Sequence, residues 1–227
     1  AAEYILRQGG YVCGAAYKEN FEVEHIIIND SSQLNRLRGS KYMQSNAGPI
    51  YPKVKKLLEK GHYVLFTGMP CQVAGVYAYL GKDYDKLYTI DLFCHAITSS
   101  KVFEKYRQDV LAGKRLTRID FRAKEPWGWY AGVNANFTDG TKYSKVYTKD
   151  PYLVAYTSQI TLNTGCGVCK VNRLPRQGDL TMGDFWRVSD FDAALNDNKG
   201  TSAVLLNNPK GAALFGTLQE QMPVVKE

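Results

Sequence analysis

Four cysteines occur in sequence contexts that favour metal binding or thiol chemistry. Cys166 and Cys169 form a C-x-x-C pair in the turn 165–169, whose glycines permit the tight backbone that brings two sulfurs to one metal. Cys71 follows an apolar run at a Gly/Pro turn, and Cys94 follows a second apolar run. Together they provide four thiolates, the number that a [4Fe–4S] cluster or a structural zinc requires. Their spacing does not distinguish these two metals.

Other kinds of site are also compatible with these thiols. A cysteine at the start of a helix lies near free N–H groups and the positive end of the helix dipole, which favours the thiolate. A thiol enzyme with Cys71 as its nucleophile is therefore one alternative, and a non-redox module with a zinc held by four cysteines is another. A thioredoxin-type dithiol is disfavoured, because that motif follows a strand and opens a helix, whereas this C-x-x-C lies in a loop. Cys13 matches no ligand motif and is interpreted as packing.

The elements that must position Cys71 and Cys94 alternate between helix and strand. Apolar runs at 63–67 and 87–93 predict two strands, while the segments 51–60, 73–80 and 99–111 predict helices. This order predicts adjacent parallel strands with helices packed across them. Because parallel strands end at one edge of a sheet, the two thiols should meet there, where open α/β folds place their chemistry.

The pattern changes to apolar–polar alternation from residue 116, and Asp139-Gly140 between two alternating runs is a hairpin signal. We therefore predict an α/β fold with a mixed, partly parallel sheet, flanking helices and an antiparallel β insert. Residues 1–115 form the part that carries Cys71 and Cys94. Residues 116–227 hold the insert, the C-x-x-C loop, and a closing strand and helix that ends near Gln221. The two parts are expected to form one continuous domain.

Composition excludes several classes of function. The net charge of +7 is spread along 227 residues, and no basic stripe interleaved with aromatic residues indicates nucleic-acid binding. No apolar run has the length of a membrane span. An odd number of cysteines without a signal peptide argues against a secreted disulfide framework, so we expect a reducing, cytoplasmic location. Residues 1–8 look like the end of a helix, which suggests a fragment of a longer protein.

Several motifs resemble, in their order along nearly the whole chain, those of the beta subunit of coenzyme F420-reducing hydrogenases and related dehydrogenases. The motifs are Gly68-Met69-Pro70-Cys71-Gln72-Val73-Ala74-Gly75, Asp91-Leu92-Phe93-Cys94-His95, Cys166-Gly167-Val168-Cys169 and Thr181-Met182-Gly183-Asp184-Phe185-Trp186, with further likeness at 38–45 and 198–202. Two departures lie beside cysteines. Met69 stands where the family commonly has Thr, and Ala96-Ile97-Thr98 stand where it commonly has Gly-Val-Pro.

The resemblance implies an iron–sulfur flavoprotein oxidoreductase. Such a protein passes hydride between a deazaflavin-like or other reduced donor and FAD, and transfers single electrons through a [4Fe–4S] cluster. The residues that match the family's cluster ligands are Cys71, Cys94, Cys166 and Cys169, and those that match its flavin loop are Gly39, Ser40, Lys41, Gln44 and Ser45. The resemblance thus implies that residues 1–115 are the flavin-binding part. Lys41 would stabilise negative charge on the reduced flavin, although a solvated surface lysine is an equal alternative.

The resemblance also implies partners. The expected partners are a reduced small-molecule hydride donor and either a ferredoxin-like segment or a separate electron-transfer protein. Many relatives carry that ferredoxin-like segment before this region, and we expect this chain to be a fragment that lacks it.

Overall fold

A computed structural model describes residues 1–220, so the expected helix end near Gln221 lies outside the described residues. The strands are β1 (Tyr11–Tyr17), β2 (Val23–Ile28), β3 (Val64–Gly68), β4 (Leu87–Leu92), β5 (Leu116–Ala123), β6 (Gly132–Phe137), β7 (Lys142–Val146), β8 (Leu180–Asp184) and β9 (Ser202–Leu206). The helices are α1 (Ala2–Arg7), α2 (Leu34–Leu37), α3 (Ile50–Glu59), α4 (Pro70–Leu80), α5 (Ser100–Asp109), α6 (Pro151–Thr157), α7 (Val188–Phe191) and α8 (Pro209–Gln219).

The main sheet has six strands in the order β2-β1-β3-β4-β8-β9. The contacts β1–β3, β3–β4 and β4–β8 are parallel, whereas β1–β2 and β8–β9 are antiparallel. Strands β5, β6 and β7 form a separate antiparallel sheet. The predicted fold class, a mixed and partly parallel sheet with helices and an antiparallel insert, is confirmed.

Apolar residues cover both faces of the main sheet. On one face, α3 and α4 bury Val54, Val73 and Val76 against Phe66 of β3. On the other face, α1 and α8 pack with the sheet through residues such as Ile5 and Leu214. The main sheet is therefore enclosed in the manner of α/β proteins, and its strand ends are left for loops.

The insert has its own core against α5 and α6. Phe121 of β5 and Val133 of β6 are fully buried beside Phe103 of α5 and Tyr152 of α6. Asp150 is fully buried, and its carboxylate caps α6 by accepting a hydrogen bond from the Leu153 N–H. The carboxylate also accepts hydrogen bonds from the hydroxyls of Tyr106 and Tyr143. This polar contact fixes α6, and with it the entry to the C-x-x-C segment.

The division of the chain at residue 115 stays a prediction. Strands β8 and β9, which come after the insert, extend the main sheet beside β4. Among residues 1–220, no helix has both the length and the apolar character needed to cross a membrane.

Candidate functional site

Cys71 and Cys94 lie just beyond the ends of neighbouring parallel strands. Strands β3 and β4 pair in register up to Gly68 and Asp91, which places the residues after them at one edge of the sheet. Helix α4 begins at Pro70, so Cys71 stands in its first turn, slightly earlier in the helix than the sequence pattern indicated. Cys71 is exposed and Cys94 is half-buried.

Gln72 joins the start of α4 to the loop that precedes α3. Its side-chain oxygen accepts a bond of 3.0 Å from the Met69 N–H, which satisfies a free amide at the helix start. Its side-chain amide donates to the Ser45 carbonyl at 3.5 Å. A Cβ at Gly68 would lie 3.0 Å from the Gln72 oxygen, so a side chain there would crowd this contact. The turn that carries Cys71 is thereby attached to the predicted flavin loop.

The C-x-x-C segment is tied to the chain after β4 on both of its sides. Before it, Asn163 N–H donates to the Ile97 carbonyl at 2.8 Å. After it, the Asn172 side-chain amide donates to the Cys94 carbonyl at 2.6 Å. Within the segment, the Asn163 side chain accepts from Gly165 N–H, and Cys169 N–H donates to the Cys166 carbonyl. These bonds bring the C-x-x-C pair to the same sheet edge as Cys94.

A buried ion pair anchors the far end of that segment. The Arg176 guanidinium lies 3.6 Å from the Asp91 carboxylate, and their side chains are 6% and 0% exposed. Arg176 also donates to the Leu92 carbonyl at 2.7 Å and to the Asn172 side-chain oxygen at 2.9 Å. Because Asn172 in turn holds Cys94, Arg176 connects the buried strand β4 with two of the cysteine-bearing segments.

The four thiols are near enough to affect one another's ionisation. Burial raises the pKa of the Cys94 thiol to about 12, and the nearby thiols of Cys71, Cys166 and Cys169 add to the rise, while Arg176 opposes it. Although Cys71 is exposed as a residue, its thiol is partly desolvated, and this desolvation, followed by the nearby Cys169, raises the pKa of Cys71. The expectation that the start of α4 would favour a Cys71 thiolate is therefore outweighed: the nearby backbone N–H groups lower the pKa, but desolvation raises it more.

Two further observations delimit the thiol group. All five cysteines are free of disulfide bonds, and Cys13 is fully buried on β1, where burial raises its pKa. Among residues 1–220, no three His, Cys, Asp or Glu side chains converge in the way that a single metal ion requires. The four thiols outside β1 are thus neighbours that do not form a single-ion cage.

The predicted flavin loop lies beside this group at two of its five residues. Gln44 N–H donates to the Thr98 carbonyl at 2.9 Å, and its side-chain oxygen accepts from Asn163 at 3.5 Å. The Ser45 hydroxyl contacts His25 Nδ1 at 2.7 Å. Gln44 and Ser45 therefore touch both the C-x-x-C segment and the start of α4.

The other three residues of the loop are arranged differently. Gly39 and Ser40 are exposed. The Lys41 ammonium donates to the carbonyls of Leu37, Arg38 and Gly39 at 3.0–3.3 Å, and so neutralises the carbonyl end of α2. Burial lowers the pKa of Lys41 to about 8. The Lys41 ammonium therefore stabilises the conformation of its own loop.

Sequence reasoning missed the residues that hold the cysteine segments together. Asp91 could have been found, since it is the one charged residue in an apolar strand. Nothing local to Arg176, Asn172 or Asn163 indicates their roles, because their partners lie far away along the chain. Asp184, which belongs to the motif at 181–186, forms an ion pair with Arg122 at 3.1 Å.

Comparison with known proteins identifies the group to which this arrangement belongs. Residues 61–225 match the family described as the C terminus of the coenzyme F420 hydrogenase/dehydrogenase beta subunit. The chain belongs to this family. The matched region includes all four cysteines at the sheet edge and the segment that contains Arg176. The resemblance drawn from the motifs is thus confirmed, and with it a redox function of the F420 hydrogenase beta subunit type.

The fold agrees with a member of a solved complex. The chain is similar to a chain of the F420-reducing [NiFe] hydrogenase complex from Methanosarcina barkeri, with a TM-score of 0.62 and 16% sequence identity. The match covers 96% of this chain and 70% of that chain. At this identity the likeness concerns the fold. No curated protein sequence matches this one.

Proposed function

We propose that this chain is an iron–sulfur flavoprotein oxidoreductase of the F420 hydrogenase/dehydrogenase beta subunit family. Hydride passes between a deazaflavin-like or other reduced donor and FAD, and single electrons pass through a [4Fe–4S] cluster. The observation that carries this proposal is the meeting of four free thiols at one sheet edge, next to the loop that contains Gln44 and Ser45.

The donor set suits an iron–sulfur cluster. Cys71, Cys94, Cys166 and Cys169 are soft sulfur ligands from three separate segments. Hydrogen bonds tie the Cys94 segment to the C-x-x-C segment, and Gln72 ties the Cys71 segment to the loop at Ser45. Their raised pKa values describe thiols without metal, and bound cations would favour the thiolates. Cys13 lies in the core and has no part in the set.

The residues of the loop suit a polar cofactor. Gly39, Ser40 and Gln44 are all exposed, and they offer backbone groups, a hydroxyl and an amide as hydrogen-bonding groups. Lys41 fixes the loop by binding three of its carbonyls, so its role is to hold the cradle rather than to meet the flavin directly. FAD held by this loop would supply hydride chemistry, and a cluster held by the four thiolates would supply one-electron transfer.

Side chains around the thiols would position the loop and the cysteine segments relative to one another. Gln72 keeps Ser45 beside the start of α4, and Asn163 keeps Gln44 beside the C-x-x-C turn. Arg176 and Asn172 hold Cys94 against the same turn. A flavin on the loop would consequently lie next to the thiols, as electron exchange between the two requires.

The setting of the protein follows from the same proposal. Thiolates that bind a cluster must stay reduced, which favours the cytoplasm. A protein partner, either a ferredoxin-like segment or a separate carrier, takes the electrons onward. The similar solved chain is part of a hydrogenase complex, which supports assembly with other proteins.

The test is the iron and sulfide content of the four cysteine variants after anaerobic reconstitution. Replacing a soft thiolate by a hydroxyl should remove iron from Cys71→Ser, Cys94→Ser, Cys166→Ser and Cys169→Ser alike. Cys13→Ser is the control, because it buries a hydroxyl at a cost of about 1–3 kcal/mol if unpaired but has no reason to lose iron.

Each outcome has a separate meaning. Full iron in a folded Cys94→Ser protein, or loss of iron from a folded Cys13→Ser protein, would show that the ligand set is wrong. Stoichiometric zinc with no visible absorbance would instead support the structural-zinc alternative. One alkylating thiol in a metal-free protein would support a cysteine nucleophile.

A further inference from the structure

The segment between α6 and β8 has an unusual charge composition. From Pro151 to Gly178 the sequence contains no Asp or Glu, while Lys170, Arg173 and Arg176 are all basic. Arg176 forms an ion pair with Asp91, whereas Lys170 and Arg173 are exposed. Within residues 1–220, neither of these two lies within 4.0 Å of a carboxylate. Two unneutralised positive charges therefore flank the C-x-x-C turn on its carboxyl side.

The same segment exposes large apolar side chains. Ile160 is 78% exposed, Val168 is 77% exposed and Leu174 is 75% exposed, the three highest values for large apolar residues among 1–220. Val168 lies between the two cysteines of the C-x-x-C pair. Exposed aliphatic side chains together with unpaired basic side chains in one short segment are typical of protein–protein contact.

The position of Cys169 links this surface to electron transfer. Cys169 is exposed and directly precedes Lys170. An electron that leaves the thiol group through Cys169 would reach the protein surface within the segment that carries the basic and exposed apolar residues. A partner seated there would bring its own redox centre close to the group.

The charges also indicate which partner fits. Two copies of this chain, facing each other through the same segment, would bring like charges together, since the segment contains no acidic residue. A partner with an acidic surface around its redox centre would instead be attracted and oriented.

We propose that Ile160, Val168, Lys170, Arg173 and Leu174 form the docking surface for an acidic, one-electron carrier protein. This inference rests on the proposed function, because the carrier exchanges electrons with the thiol-bound group. In each encounter the carrier gains one electron and the chain loses one, or the reverse, and no bond or proton is transferred between them.

The experiment measures binding of an acidic bacterial-type ferredoxin to the reconstituted protein by calorimetry at low and at moderate salt. Lys170→Glu with Arg173→Glu should weaken binding by at least about tenfold at low salt, and the effect should shrink as salt screens the charges. Ile160→Ser with Leu174→Ser should weaken binding at both salt concentrations, because apolar contacts are not screened. Lys142→Glu with Lys145→Glu is the matched control, since these exposed lysines lie on β7 in the other sheet.

The readouts separate the two proposals. Iron content and dithionite-reducible absorbance report on the proposed function, whereas the dissociation constants report on the docking surface. The docking proposal is overturned if ferredoxin does not bind at low salt. It is also overturned if the control variant weakens binding as much as Lys170→Glu with Arg173→Glu does. A protein that binds phosphatidylserine vesicles through Lys170 and Arg173, but does not bind ferredoxin, would overturn it as well. An iron-free protein that still binds through Lys170 and Arg173 would refute the redox role and keep the surface.

Discussion

Arg176 offers a sharp test of how the site is held together. Its guanidinium is 6% exposed and faces the fully buried Asp91, so Arg176→Met would leave a buried carboxylate without its cation. Removing one partner of a buried ion pair costs about 3–5 kcal/mol of folding free energy. Asp91 would retain bonds from the N–H groups of Gln177 and Gly178 and from the Thr181 hydroxyl, which offset part of the loss. We therefore expect a loss of about 3 kcal/mol.

The assay is urea unfolding of the variant beside a matched surface change. Arg187→Met removes an exposed pair, Arg187 with Asp190, whose side chains are 84% and 59% exposed. Such pairs are worth about 0–1 kcal/mol, so this control should be nearly neutral. Arg176→Lys keeps the charge but loses the planar fork that reaches Leu92 and Asn172, and it should fall between the two.

A double variant isolates the charge itself. Asp91→Asn combined with Arg176→Met should cost less than the sum of the single changes, because the uncompensated carboxylate is then absent. Arg176 would not anchor these segments if Arg176→Met lowered the free energy of unfolding as little as Arg187→Met does. The same conclusion would follow if the losses from Asp91→Asn and Arg176→Met were additive.

Two further predictions concern Lys41. Burial lowers the pKa of Lys41 in the folded protein to about 8, below its unfolded value of 10.5. Between these two pH values the unfolded chain therefore binds more protons than the folded one. The free energy of unfolding of the protein, relative to that of Lys41→Met, should consequently rise as pH increases from about 8 to 10.5. Urea unfolding of both proteins across that range, with Lys53→Met as control, checks this, and a difference that does not change with pH would contradict it. Lys41→Ala with Gln44→Ala should weaken FAD retention by about tenfold without unfolding the chain, since each lost hydrogen bond is worth about 0.5–1.5 kcal/mol. Fluorescence titration with FAD measures it, and unchanged affinity would remove this loop from the flavin site.

The meeting of Cys71 and Cys94 could be predicted because it depends on local patterns. Two apolar runs separated by a helix-length segment imply parallel neighbours, and parallel neighbours end at one edge. The register of Gly68 opposite Asp91 is the outcome of that rule. By contrast, the place of β8 beside β4 could not be read from periodicity, because the insert and the C-x-x-C segment separate the two strands along the chain.

The behaviour of Lys41 shows a different limit. Its position in a polar loop suggested a cation available to a cofactor, and sequence gives no means of knowing that three carbonyls at the end of α2 already bind it. Arg173 and Arg176 illustrate the same point in one segment. They are three residues apart and chemically identical, yet one is exposed and the other is buried against Asp91.

The departures from the family pattern become intelligible from the bonds at those positions. Met69 contributes its backbone N–H to Gln72, and Ile97 and Thr98 contribute their carbonyls to Asn163 and Gln44. These hydrogen bonds use backbone atoms, so they do not depend on which side chains stand at 69 and 97. Thr98 adds a contact of its own, a hydroxyl bond of 2.6 Å to the Tyr42 carbonyl, which a proline there could not make. In this chain the segment after β4 is therefore attached to the predicted flavin loop by one hydrogen bond more than a proline at this position allows.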